Sequence, residues 1–292
     1  MILLEILLFF LGFSYLLKAF THVYNFVILL FCRTQVFKYG KSWALVTACT
    51  DGIGLGFTHE LARLGFNIVQ VGRNPEKLKN CEKLIKQKYG VDCLSIVKDF
   101  SICNQNPIQF FNDVFMQLGE IDLSLLVNNI GTVEIGRFLA DRSLIIQQNT
   151  LNLFPVVFMT KLFVDRCRNR KLGGGVINMS SLTAEFVTPF IVTYAAGKSF
   201  GKVFTQVLAT ESRVDMLSYE PGYVWTPLGS KFKFKFAAIS HLTCAKLGVR
   251  ALGNVGVYIG HWTHYICFLL YWIVHLSLSY LITPFRKIFS LA

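Results

Sequence analysis

Between residues 42 and 250, short apolar runs alternate with longer amphipathic stretches, and this rhythm constrains the fold more than any other feature. The runs are WALVTA (43–48), NIVQVG (67–72), LSIVKD (94–99), LSLLVNN (123–129), GVINMSS (175–181) and DMLSYEP (215–221). Each has the length and branched, apolar character of a strand buried on both faces. GFTHELARLG (56–65) and PEKLKNCEKLIKQKYG (75–90) have helical length and polarity. Strand and helix in this order predict an α/β fold with a doubly wound parallel sheet, whose ligands bind beyond the carboxyl ends of the strands.

Hydrophobic residues make up 53% of the chain and charged residues 16%, and the apolar excess sits at the two ends. Residues 1–31 carry only Glu5 and Lys18 as charges. As a helix they would be about 46 Å long, more than a bilayer core of about 30 Å. The run lacks a basic leader and a small-residue cleavage site, so it reads as an uncleaved anchor, either one tilted span or a shallow hairpin. Arg33, Lys38 and Lys41 follow it and place the core on the cytosolic side. From Ala251 to Phe285 there is no Lys, Arg, Asp or Glu, and 257–282 is long enough to span; the other reading is a buried helix or an oligomer contact. The expected organisation is therefore a membrane anchor (1–35), a catalytic domain (41–250) and a hydrophobic membrane-associated tail (251–292).

The net charge of +12 calls for an anionic partner. No zinc spacing and no basic stripe interleaved with aromatics points to nucleic acid, which leaves lipid headgroups and phosphorylated ligands. The eight cysteines form no CxxC or regular framework and read as buried or free thiols. His261 and His264, one helical turn apart in an apolar run, suit packing or an interface, and no metal ligand set is seen.

The first strand runs into Thr47-Ala48-Cys49-Thr50-Asp51-Gly52-Ile53-Gly54, and a helix follows. Glycines here let the backbone approach a pyrophosphate, and the helix N-terminus offers N–H groups and the positive end of its dipole. After the second strand comes Gly72-Arg73-Asn74, with an arginine where a site for an unphosphorylated ribose places a carboxylate; Arg73 suits a 2′-phosphate. Tyr194 and Lys198 are four residues apart, hence on one face of a helix.

In order along the chain, these elements resemble the short-chain dehydrogenase/reductase family. The turn resembles its TGxxxGxG motif, with Ala48 where the family has glycine. Asn128-Asn129-Ile130-Gly131 resembles its NNAG motif, and Ser181, Tyr194 and Lys198 match Ser–x12–Tyr–x3–Lys. Asn152 in QNTLNLF matches the helix asparagine, and Pro221-Gly222 with Thr226 resembles PGxxxT. The resemblance implies a Rossmann fold and NADP(H). It assigns cofactor contacts to Thr47, Asp51, Gly52, Ile53, Gly54, Arg73, Asp99 (at the adenine), Asn128, Gly131, Lys198 (at the nicotinamide ribose), Pro221, Gly222 and Thr226. It makes Tyr194 the acid, Ser181 the group that orients a carbonyl, and Asn152 the holder of a water. A free tyrosine, with pKa about 10, holds its proton too tightly near neutral pH, so a nearby ammonium is expected to lower it. Pro221 follows Tyr194 by 27 positions, a shorter interval than the family's, and TESRVDML lacks a turn.

The TDGIG form, Arg73 and the two apolar ends resemble the branch of microsomal very-long-chain 3-oxoacyl-CoA reductases and 17β-hydroxysteroid dehydrogenases. This implies a lipid-like carbonyl substrate, acyl-CoA or steroid (or retinoid), and an endoplasmic reticulum membrane with its lipid as surroundings. It also implies a homodimer or elongation-complex partners. A catalytically silent scaffold is the alternative that Ala48 and the short link raise, and the intact Ser181–Tyr194–Lys198 set argues against it. Lys231-Phe232-Lys233-Phe234-Lys235-Phe236, if extended, would put phenylalanines on one face toward lipid or an acyl chain and lysines on the other toward phosphates.

Overall fold

The computed structural model describes residues 2–136, 142–186, 188–229 and 237–271. Six strands form where the apolar runs predict them: β1 (Trp43–Thr47), β2 (Asn67–Gly72), β3 (Cys93–Val97), β4 (Leu123–Asn128), β5 (Gly175–Met179) and β6 (Asp215–Tyr219). Helices α2 (Gly52–Arg63), α3 (Pro75–Tyr89), α4 (Pro107–Met116), α5 (Arg142–Cys167) and α6 (Val192–Glu211) alternate with them. A long helix α1 (Ile2–Phe31) precedes them, and β7 (Val224–Trp225), β8 (Ile239–Ser240), α7 (His241–Ala251) and β9 (Val257–Tyr258) follow.

The main sheet has seven strands in the order β3-β2-β1-β4-β5-β6-β9, and its pairings are parallel. Alternation along each strand feeds two layers. Ala44, Val46, Ile68 and Leu125 face a core with Phe57 and Leu61 of α2 and Ala245 and Val249 of α7. Leu45, Val69 and Leu126 face Phe111 of α4 and Met159 and Phe163 of α5. The strand order reverses between β1 and β4, and this is where a doubly wound sheet opens a crevice.

Helix limits follow local chemistry. Asn74 caps α3 by accepting from the Lys77 amide at 3.0 Å, Pro75 fills the first turn, and Gly90 ends the helix in the left-handed region at φ 66°. Between α6 and β6 only Ser212, Arg213 and Val214 intervene. The short interval before Pro221 is therefore a three-residue link, made without loss of the strand.

Two features bear on the expected organisation. The boundary at 250 does not part core from tail: β9 extends the sheet, and Tyr265 and Phe268 are buried in the core. The charge-free stretch thus begins inside the globular domain, since a buried helix and a lipid-facing one share the same apolar composition. The second feature is α1, a single helix of 30 residues and not a hairpin. Its last third docks on the domain: Asn25 donates to the Val257 carbonyl at 3.0 Å. Arg250 donates to the carbonyls of Cys32 (2.8 Å) and Leu30 (3.0 Å), supplying the cation and donors that the helix end lacks. Among the described residues no helix is long and apolar enough to cross a membrane. The Lys–Phe repeat at 231–236 and the stretch from 272 onward lie outside the described residues.

Candidate active site

The turn after β1 is held from below by polar bonds. The Thr47 hydroxyl donates to the Val127 carbonyl at 3.3 Å and accepts from the amides of Asn129 (2.9 Å) and Ile130 (3.2 Å), joining the ends of β1 and β4. Asn129 Nδ2 donates to the carbonyls of Thr47 (3.2 Å) and Ala48 (3.3 Å). Ala48 takes φ 50°, a left-handed conformation that costs a residue with a Cβ about 1–2 kcal/mol. This is why glycine suits the position. Ala48→Gly is expected to stabilise the fold by about 0.5–1 kcal/mol after the greater freedom of the unfolded glycine is discounted. A denaturation midpoint that falls would contradict this reading of the turn.

Gly54 lies under the turn, where a Cβ would stand 2.8 Å from the Ala48 carbonyl carbon and closer still to its oxygen. Gly52 has φ 52° and packs against Thr226, 3.2 Å from where its Cβ would be. Asp51 caps α2 by accepting from the Gly52 amide at 2.9 Å, and Lys77 bridges to its other oxygen at 3.3 Å. Arg73 is exposed just past β2. Asp99, also exposed, accepts from the Ser101 amide at 3.0 Å and so caps a short helical turn.

Beyond the ends of β4 and β5, three expected residues converge. A methyl group on Gly131 would stand 2.7 Å from Asn152 Oδ1 and 3.2 Å from Lys198 Nζ, so only glycine fits there. Lys198 is buried, donates to the Met179 carbonyl at 2.7 Å, and lies 5.7 Å from the centre of the Tyr194 ring. Burial holds its ammonium down to a pKa of about 8. Burial raises the Tyr194 phenol, while a hydrogen bond with Ser181 opposes the rise. This reverses the direction expected from an adjacent ammonium: loss of water outweighs Lys198, whose charge is directed at Met179. Ser181 also accepts from the Thr183 amide at 3.2 Å.

Asn152 is implied as a water holder, yet both ends of its amide are taken by Thr132: Nδ2 donates to that carbonyl at 2.9 Å and Oδ1 accepts from that amide at 3.2 Å. Asn152 therefore braces the segment after β4. Asn128 does not face the crevice. It shares the facing of Leu126 and donates to Thr160 (2.9 Å) and Asn178 (2.8 Å) inside the α5 layer, while Asn178 donates to Thr205 of α6 at 2.9 Å. The crevice-side asparagine is Asn129. His264, outside the expected set, accepts from the Gly222 amide at 3.1 Å and bonds the Tyr223 carbonyl at 3.0 Å, holding the segment after β6. Nothing in its local sequence announces this contact.

Ser181, Tyr194, Ile53, Pro221, Gly222 and Thr226 line one cavity of about 330 Å³. Its other walls are largely apolar, with Val133, Leu182, Phe186, Val224, Leu228, Cys267 and Tyr271 among them. A phenol, a hydroxyl and the glycine-rich crevice thus meet at the mouth of an apolar chamber, a geometry suited to protonating an oxygen on an apolar molecule.

The sequence profile of the short chain dehydrogenase family matches residues 42–235. Among curated relatives, very-long-chain 3-oxoacyl-CoA reductase-A of Danio rerio is 33% identical over 179 residues, 60% of this chain and 54% of that protein. The Homo sapiens very-long-chain 3-oxoacyl-CoA reductase is 29% identical over 219 residues, 72% of this chain and 68% of that one. The chain thus spans little more than half the length of the first of these. Among solved structures, a 7beta-hydroxysteroid dehydrogenase matches with a TM-score of 0.69 and 25% identity over 80% of this chain and 93% of that one. A short-chain dehydrogenase from Sphingobium yanoikuyae in complex with NADPH shares the fold, with a TM-score of 0.64 at 20% identity over 75% of this chain and 87% of that one. With the strand order, the glycine turn and the Ser181–Tyr194–Lys198 set already in place, the profile match over most of the catalytic fold makes this chain a member of the short-chain dehydrogenase/reductase family.

Proposed function

We propose that the chain is an NADPH-dependent reductase of a lipid carbonyl, converting a 3-oxoacyl-CoA to the 3-hydroxyacyl-CoA. The observation that carries this reading is the hydrogen-bonded Ser181–Tyr194 pair at the wall of an apolar chamber. The turn fits a dinucleotide: the place a Cβ would fill at Gly54 is closed by the backbone of Ala48, so the chain passes tightly over the N-terminus of α2. Gly52, Ile53 and Gly54 would hold the pyrophosphate side, Arg73 a 2′-phosphate, and Lys198 the nicotinamide ribose. NADPH supplies the hydride when bound.

Ser181 donates its hydroxyl hydrogen to the carbonyl oxygen and holds it against Tyr194. The Tyr194 phenol gives its proton to that oxygen as negative charge develops there. Because burial keeps the phenol protonated, it stands ready as an acid in the reductive direction. Lys198 stabilises the tyrosinate left behind and is charged below a pH of about 8. The kcat/KM for NADPH, which reports the free enzyme, is therefore expected to fall as pH rises through about 8. Stability moves the opposite way. Between about 8 and the ordinary 10.5 the unfolded lysine binds more protons than the folded one, so folding is favoured as pH rises. A flat kcat/KM from pH 7 to 9.5 would remove Lys198 from the mechanism.

The names of the Danio rerio and Homo sapiens relatives support an acyl-CoA substrate. A steroid carbonyl is the second reading, favoured by the likeness to the 7beta-hydroxysteroid dehydrogenase and by a chamber compact enough for a fused-ring molecule. Full-length protein in detergent, given NADPH with either a long-chain 3-oxoacyl-CoA or a 17-ketosteroid, separates the two. Faster NADPH consumption with the thioester supports the first, and turnover of the steroid alone replaces it with the second.

The setting we propose is the endoplasmic reticulum membrane with the catalytic domain in the cytosol. Exposed Phe9, Phe10, Phe13, Leu16, Leu17 and Phe20 on α1 support it, as do Arg33 and Lys41 beyond the helix. With the last third of α1 docked on the domain, the exposed apolar side chains of its earlier turns are the part left to meet lipid. Release of the protein by alkaline carbonate would overturn this placement.

A further inference from the structure

The docked end of α1 reaches the layer behind the chamber lining through one side chain. His22 is buried, and its Nε2 lies 3.5 Å from Glu185 Oε1, whose side chain is 1% exposed. Glu185 also pairs with Lys202 of α6, and Lys202 Nζ lies 3.4 Å from Glu220 Oε2, while the Ser218 hydroxyl donates to Glu220 Oε1 at 2.9 Å. Two buried carboxylates thus share one lysine, and the His22 imidazole stands against one of them. A buried carboxylate that loses a polar partner is destabilised, so the contact is not incidental.

The positions of the two carboxylates give the cluster its reach. Glu185 ends the helical turn that begins at Ser181: the Ala184 amide donates to the Ser181 carbonyl at 2.9 Å, and the Glu185 amide to that of Leu182 at 3.1 Å. Glu220 directly precedes Pro221 and Gly222, and the Leu182 amide donates to the Pro221 carbonyl at 3.1 Å. The segment with Ser181 and the segment with the Pro-Gly element are therefore tied to each other, to the helix that carries Tyr194, and to α1. A chain of tilted ring contacts runs beside it. His22 lies 4.8 Å from Phe268, Phe268 lies 5.4 Å from Phe186, and Phe186 lies 4.5 Å from Tyr271, centre to centre. Phe186 and Tyr271 line the chamber.

We propose that His22 is a positioning residue of the substrate chamber, acting through Glu185 and Phe268 on the Ser181–Phe186 segment. On this view α1, whatever its relation to a membrane, braces the chamber from behind its lining, and a domain cut after α1 lacks that brace. The inference rests on the carbonyl-reductase reading for its kinetic consequence, but its structural consequence stands apart from it.

The test uses the full-length chain in detergent with His22→Ala, and with Phe20→Ala as a control on the exposed face of the same helix. His22→Ala is expected to raise KM for the 3-oxoacyl-CoA by about 10- to 100-fold through misplacement of Ser181 and Phe186, with NADPH affinity within about twofold of the parent. Hydrogen exchange at the amides of Ala184 and Glu185 is expected to quicken by about tenfold, because the cluster no longer holds that turn. Glu185→Gln also takes a carboxylate from Lys202 and should cost more than His22→Ala, while the double substitution should cost less than the sum of the two. Phe20→Ala should leave both readings unchanged. If wild-type protein reduces no carbonyl, the functional reading fails and the exchange rates alone decide the positioning claim. Unchanged exchange at Ala184 and Glu185 in His22→Ala, or a KM equal to wild type in an active enzyme, would overturn it.

Discussion

Replacing Tyr194 with phenylalanine is expected to lower turnover by about 10²- to 10⁴-fold while NADPH affinity stays within about twofold. The substitution removes one oxygen. That oxygen meets Ser181 and faces the chamber shared with Ile53 and Pro221, whereas the nucleotide turn is built from Thr47, Ala48, Asn129 and Gly54. The ring still packs beside Lys198, so the fold loses no volume. Removal of a group that acts only in the transition state lowers kcat and kcat/KM together, and this signature separates an acid from a mere wall residue. Single-turnover NADPH oxidation with tritrated cofactor binding measures both quantities. Comparable turnover in the variant would end the proposed proton transfer.

A second large effect is expected at Gly54. By helix propensity alone, alanine in place of glycine within α2 should stabilise it by about 1 kcal/mol. The structure reverses the sign. The added Cβ would stand 2.8 Å from the Ala48 carbonyl carbon and 2.6 Å from Asn129 Nδ2. Neither can withdraw, since the Ala48 amide donates to the Val71 carbonyl at 2.9 Å and Asn129 is bonded to both Thr47 and Ala48. Gly54→Ala is therefore expected to destabilise the fold by about 3 kcal/mol and to abolish measurable NADPH binding. Gly201→Ala in α6, where nothing lies within 4 Å of the new Cβ, is the control and should be neutral or stabilising. Urea midpoints with NADPH titration test both; equal behaviour of the two variants would contradict the tight passage at the turn.

The six principal strands were legible because each is a continuous apolar run between turn residues. β9 was not, being two residues at the edge of a long apolar stretch that composition alone cannot divide between core and lipid. The same stretch hid His264, whose partner Gly222 is distant in sequence. At the site, the spacing of Ser181, Tyr194 and Lys198 was enough to bring the three together beyond the strand ends, because helix and strand geometry fix where such spacings point. Asn128 and Asn129 show the limit of a motif without strand parity. Leu126 faces the α5 core and Asn128 shares its side, so the motif's first asparagine bonds Thr160 and Asn178 while the second reaches the turn. The upward shift of Tyr194 was also out of reach, because it depends on how deeply the phenol is buried. The contact of His22 with Glu185 joins two unremarkable residues across most of the domain, and no local pattern encodes it.

The central claim is that this face of the sheet moves hydride from a nicotinamide to a carbonyl carbon while Tyr194 protonates the oxygen. The most direct measurement is reduction of a long-chain 3-oxoacyl-CoA with NADPH carrying deuterium at the transferred position, followed by mass analysis of the product. The account predicts one deuterium on the new carbinol carbon for each NADPH consumed. Absence of NADPH consumption, or a product without the label, would contradict it.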